Sequence, residues 1–160
     1  ALKRLVEEFK DVEIVFPVHK TPRVREVVNE ELGHLPQVHL IDPLDYEPFA
    51  NLMSRAELIL TDSGGVQEEA PSLGKPVLVL RDTTERPEAV AAGTVRLIGT
   101  DSERVYSEAK ALLTDKDAYK KMAESCNPYG DGQSSRRIIE AILYDFGVTD
   151  KRPDTFKPGE

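Results

Sequence analysis

At 160 residues, 39% of them hydrophobic, the chain can bury one sizeable core, and its length gives no reason to divide it. The 29 acidic against 21 basic residues leave a formal charge of -8, which argues against a nucleic-acid backbone or an anionic membrane as the main partner. A single cysteine, Cys126, excludes an internal disulfide framework and a cysteine-rich metal site; it reads as a small buried filler in a protein of the reducing cytoplasm. No apolar run approaches the roughly 20 residues of a membrane span, and no charged-then-apolar leader opens the chain.

In chain order, Leu2, Leu5, Val6 and Phe9 recur at helical spacing from the first residues on, with no capping residue in front; this suggests that something precedes Ala1. Five short runs rich in branched residues follow as expected strands: Val12 to Val18, Val38 to Ile41, Leu58 to Leu60, Val77 to Leu80 and Val95 to Ile98. Between them lie amphipathic stretches suited to helices, Arg23 to Leu32, Tyr46 to Ser54, Gly65 to Leu73 and Arg86 to Ala92. Such alternation predicts an α/β fold, a doubly wound parallel sheet with right-handed crossovers. Three further helices are expected over Ser102 to Leu113, Lys116 to Ser125 and Ser134 to Phe146, the last after the turn-rich Asn127 to Gln133. Residues 1–147 are expected to form one domain and 148–160 a charged, proline-bearing tail that frays or covers a neighbouring surface.

In an open parallel sheet, ligands gather beyond the carboxyl ends of the strands. The chemically unusual segments all fall there. After the third strand comes Ser63-Gly64-Gly65, where missing side chains let a ligand approach the main chain and the next helix's free amides favour an anion such as a phosphate. The alternative is a tight turn capped by Ser63. Neither the lysine of a triphosphatase loop nor the third glycine of a dinucleotide fingerprint is present. Glu69, four residues past Gly65, lies on the same helical face about 6 Å deeper, where its carboxylate can accept both hydroxyls of a ribose. Gln67 and Glu68 read as a solvated first turn.

Arg86, past the fourth strand, offers a fixed cation to phosphates, or else an ion pair with Glu85 or Glu88. Phe49 can lie against a base or belong to the core. His19, after the first strand, can meet a phosphate or sugar or be a satisfied loop histidine. His34 and His39 carry no assignable role. No complete catalytic set is found, and the chain reads as one wall of an active site.

The segment LTDSGGVQEEAPSLGKPVLVLRDTTERPEAVAAGTVRLIGTD strongly resembles the non-hydrolysing UDP-N-acetylglucosamine 2-epimerases, and the flanks FPVHKTPRVRE, VHLIDPLDYEPFANLM and NPYGDGQSSRRI extend the likeness over nearly the whole chain. The resemblance implies the second of two Rossmann-like domains that face each other across a cleft in a GT-B-type architecture. It implies that Ser63, Gly64 and Gly65 hold the diphosphate, Glu69 the ribose hydroxyls, Phe49 the uracil region and Arg86 the phosphates. His19 matches a position that bacterial members use near a second, activating UDP-N-acetylglucosamine; Lys20 beside it departs from the less basic residue expected there.

The implied reaction inverts carbon 2 of UDP-N-acetylglucosamine to give UDP-N-acetylmannosamine, through loss of UDP to 2-acetamidoglucal and its return. No nicotinamide or metal cofactor is implied. The family's proton-handling carboxylates and its histidine-arginine-arginine-glutamate segment belong to a first domain that these residues do not include. The partners implied are UDP, a UDP-N-acetylhexosamine, that first domain and a second copy. Two rivals stand beside this reading: the donor domain of a nucleotide-sugar glycosyltransferase, and a non-catalytic UDP-sugar sensor.

Overall fold

The computed structural model describes residues 1–157. Thirteen regular elements alternate in the expected order: α1 (Leu2–Glu8), β1 (Ile14–Pro17), α2 (Pro22–Leu32), β2 (Val38–Ile41), α3 (Tyr46–Arg55), β3 (Ile59–Thr61), α4 (Gly64–Glu69), β4 (Val77–Val79), α5 (Pro87–Ala92), β5 (Val95–Leu97), α6 (Ser102–Thr114), α7 (Lys116–Ala123) and α8 (Ser134–Asp145). The expected helix from Gly65 to Leu73 divides in two, because Pro71 has no N–H to continue the ladder. A 3₁₀ turn over Ala70–Leu73 takes up the second half. Local chemistry sets the other boundaries. Asp101 and Asp115 accept amide protons at the starts of α6 and α7, Pro87 opens α5, and Gly93 ends it at φ 80°, a left-handed conformation that favours glycine.

Every strand pair is parallel, but hydrogen bonding divides the strands into a β1–β2 pair and a β3–β4–β5 sheet. β4 runs through the middle of the larger sheet, where Val77, Leu78 and Val79 are fully buried. Their alternation sends them to opposite faces. Leu78 joins Ile98, Leu5 of α1, Val105, Ala109 and Leu112 of α6 and Met122 of α7. On the other face, Val77, Val79 and Val95 meet Met53 of α3, Val66 of α4, Ala70 and Ala89 of α5. Helices therefore cover both faces of this sheet, as the strand–helix alternation predicts. The smaller sheet has its own cluster of Val38, Leu32 and Val6. α1 links this cluster to the larger sheet, with Val6 here and Leu5 in the cluster around Leu78.

Downstream of α7 the packing changes. α8 contains no buried residue, and Ile138, Ile139, Ile142 and Phe146 are exposed. The segment after it packs against α8. Asp154 receives paired bonds from Arg136 at 3.1 Å each and one from Arg137 at 3.2 Å, while the Arg137 guanidinium lies over the Phe156 ring. Tail residues 158–160 fall outside the described part. Cys126 is exposed, contrary to its reading as a buried filler. It lies between α7 and the turn-rich Asn127 to Gln133, with its side chain turned to solvent.

Candidate functional site

The β3–α4 connection brings three of the sequence-derived residues together. An added Cβ at Gly65 would lie 3.7 Å from Glu69 Oε1 and 3.9 Å from Ser63 Oγ. The Glu69 carboxylate thus folds back along its helix toward the glycine turn, as i+4 spacing requires. Ser63 and Gly65 are exposed, and Glu69 is half-buried. Ser63 makes no side-chain cap to α4. Its N–H donates to Thr61 Oγ1 at 3.0 Å, and its carbonyl accepts from Gln67. Ser63 thus stands at the N-cap position of α4 without the side-chain bond a capping serine makes.

Gly64 is partly covered. A Cβ there would stand 2.5 Å from Glu85 Oε1, so the Glu85 carboxylate lies directly over its main chain. Arg81 Nη1 holds that carboxylate at 2.8 Å, and Arg86 Nη1 donates to the Glu85 carbonyl at 3.2 Å. The Glu85 acid is held below the ordinary carboxylate value, first by a bond from its own backbone N–H and then by the charges of Arg81 and Arg86.

Arg86 is ion-paired through Nε, but with Glu68 rather than with Glu85 or Glu88. The Glu68 hydrogen bond raises its pKa above the ordinary arginine value, which keeps the guanidinium charged. The solvated reading of Gln67 and Glu68 is therefore corrected. Glu68 binds the cation across the site, and Gln67 is fully buried with both ends of its amide engaged. One signal in the sequence pointed there: Val66 and Ala70 form an apolar i,i+4 pair, and Gln67, three before Ala70, shares their inward side. Thr84 was also passed over. Its hydroxyl donates to Gln67 Oε1 at 2.6 Å and accepts from the Arg86 N–H at 3.0 Å.

Phe49 lies on α3, within the expected helix, and is half-buried against the cluster of Met53, Val66 and Ala70. The same packing places it beside α4. Tyr129, from the loop before α8, joins that cluster too, and burial pushes its phenol above the ordinary tyrosine value. His19 stands apart. It follows β1 in the smaller sheet and is exposed; its Nδ1 accepts from the Thr21 N–H at 3.3 Å and lies 2.8 Å from Thr21 Oγ1. His39 pairs with Glu13 on the surface.

Taken together, the β3–α4 and β4–α5 connections present exposed main chain at Ser63 and Gly65, a carboxylate one turn below, and a charged guanidinium alongside. Such a set can hold a polyanion next to a diol. Comparison with known proteins follows the same direction. The chain is 58% identical over 156 residues to the UDP-N-acetylglucosamine 2-epimerase of Bacillus subtilis, a match covering 98% of this chain and 41% of that protein. MnaA of S. aureus, solved as a co-structure with UDP, superposes with a TM-score of 0.91 at 49% identity over 98% of this chain and 43% of its own. The UDP-GlcNAc 2-epimerase of Neisseria meningitidis, bound to UDP-GlcNAc, gives 0.83 at 49% identity over 89% and 39%. The chain thus spans about two fifths of the length of these relatives. A family model described as UDP-N-acetylglucosamine 2-epimerase matches residues 1–143, nearly everything up to the end of α8, and the chain belongs to that family.

Proposed function

We propose that this chain is the UDP-gripping part of an enzyme that interconverts UDP-N-acetylglucosamine and UDP-N-acetylmannosamine by eliminating UDP and adding it back. The observation that carries the reading is the pair of glycines. Neither Gly64 nor Gly65 has a positive φ. At Gly65 a methyl group would meet only ordinary contacts, and at Gly64 only the movable end of Glu85. The fold itself asks for no glycine at either position, and a glycine in a helix costs about 0.5–1 kcal/mol relative to alanine. A ligand that must reach the main chain supplies the missing reason.

In this reading the diphosphate lies against Ser63, Gly64 and Gly65, Arg86 neutralises it, and Glu69 accepts the ribose hydroxyls. Phe49, at the α3–α4 junction, flanks the uracil. Gripping UDP matters to the chemistry, because the departed nucleotide must stay bound while the proton at carbon 2 moves. The carboxylates that move this proton lie in the part of the relatives beyond these residues, so the 160 residues alone bind UDP without epimerising. Residues 1–147 act as the UDP-binding domain, and pairing with the family's first domain and with a second copy completes the enzyme. His19, outside the grip, is a contact for a second UDP-N-acetylglucosamine.

The test is calorimetric titration of the chain with UDP, followed by incubation with UDP-N-acetylglucosamine in heavy water. UDP binding with no deuterium at carbon 2 is the expected result. Deuterium at carbon 2 overturns the division of labour; absence of UDP binding overturns the grip.

A further inference from the structure

We propose that Gln67 is a positioning residue whose buried amide sets the distance between the glycine turn and the Arg86 loop; the proposal rests on the UDP reading above. The Gln67 side chain is wholly buried, one of two polar residues so enclosed among those described. Its Nε2 donates to the Ser63 carbonyl at 3.2 Å. Its Oε1 accepts from Thr84 Oγ1 at 2.6 Å, and Thr84 Oγ1 accepts in turn from the Arg86 N–H at 3.0 Å. A continuous line of hydrogen bonds therefore runs from Arg86 to Ser63.

Each link has a fixed polarity. The Ser63 carbonyl can only accept, so the amide must turn its nitrogen that way and its oxygen toward Thr84. The single Thr84 proton then goes to Gln67, which leaves the hydroxyl oxygen to receive the Arg86 amide. A carboxylate at position 67 would bring no side-chain donor for Ser63, and an apolar side chain would break the line at both ends. Outside this line, Glu68 on the next residue of α4 holds the Arg86 side chain. Consecutive residues of one helix thus reach Arg86 twice, Gln67 through Thr84 to its backbone N–H and Glu68 directly to its guanidinium. A phosphate shared between the glycine turn and Arg86 depends on that spacing, whereas a bare nucleoside does not.

The experiment compares Thr84→Val, Thr84→Ser and Gln67→Met in the 160-residue chain, titrated with UDP and with uridine. Thr84→Val and Gln67→Met should weaken UDP about tenfold, the scale of one hydrogen bond, and move uridine less than about twofold. Thr84→Ser, which keeps the hydroxyl, should restore UDP binding to within about twofold of the parent chain. Wild-type UDP affinity in Thr84→Val, with its circular dichroism unchanged, overturns the proposal. Thr84 is only partly buried, so this variant decides the matter even if Gln67→Met fails to fold.

Backbone amide NMR of ligand-free Thr84→Val separates the two ideas. Resonances of Arg86 and of Gly64, whose peptide contains the Ser63 carbonyl, should both move. A change confined to Arg86 overturns the relay whether or not UDP binds. A parent chain that binds UDP no better than uridine overturns the nucleotide reading instead.

Discussion

Gly65 offers a way to separate stability from binding. Its backbone is of a kind any residue adopts, and a methyl group there would sit 3.7 Å from Glu69 Oε1, an ordinary contact. Gly65→Ala should therefore leave the protein as stable or raise it by up to about 1 kcal/mol, since alanine restricts the unfolded chain and favours the helix. The same methyl group stands where a phosphate would approach, so UDP affinity should fall more than about tenfold, or about 1.4 kcal/mol. Thermal melts and titration of this one variant check both halves; a loss of stability equal to the loss of affinity would mean the glycine is structural. The glycine turn and Glu69 were legible in the sequence because their positions follow from one local helix. Gln67, Glu68 and Thr84 were not. Their partners come from segments about 17 residues away, and which face of α4 meets the β4–α5 loop is not encoded in the helix alone.

At the scale of elements, α8 is held by charge rather than by burial. Arg137 donates to both oxygens of Asp131 at 2.7 Å, and Arg136 and Arg137 together hold Asp154. The Arg137 bonds, followed by one from the Gln133 N–H, keep Asp131 well below its ordinary value of 3.8. The sign follows directly: below that value the unfolded chain takes up a proton that the folded protein refuses. The stabilisation is complete above pH 3.8 and is lost as the pH falls toward the depressed folded value. Asp131→Asn should therefore lower the melting temperature at neutral pH, and the gap between variant and parent should narrow at about pH 2. A gap that stays constant across this range would remove the ion pair from the account. The helix itself was predictable from its apolar spacing, but the docking of residues 148–157 onto it depends on charges brought together in space.

For the molecule as a whole, α1 is the seam between the two sheets. Leu5 enters the cluster around Leu78, and the adjacent Val6 enters the one around Val38. Outside, Arg4 stacks on the Tyr106 ring at 3.7 Å and Glu8 pairs with Lys110, so α1 is held along α6. Leu5→Ala should cost about 2–4 kcal/mol, as expected for truncating a buried leucine. Because one short helix serves both clusters, amide exchange should rise in β1–β2 as well as in β4. Exchange that rises in the larger sheet alone would show the two sheets to be independent.

What the sequence determined by itself was the order and type of the elements, since apolar period, proline, glycine and capping aspartate act over a few residues. The approach of Glu69 to Gly65 belongs with them, being a property of one helical turn. The tertiary structure decided the rest. It divided the hydrogen bonding between two sheets, left Cys126 exposed, gave Arg86 to Glu68 instead of its sequence neighbours, and enclosed Gln67 between two loops. Each of these depends on which surfaces meet, and that choice is made by packing of the whole core rather than by local preference.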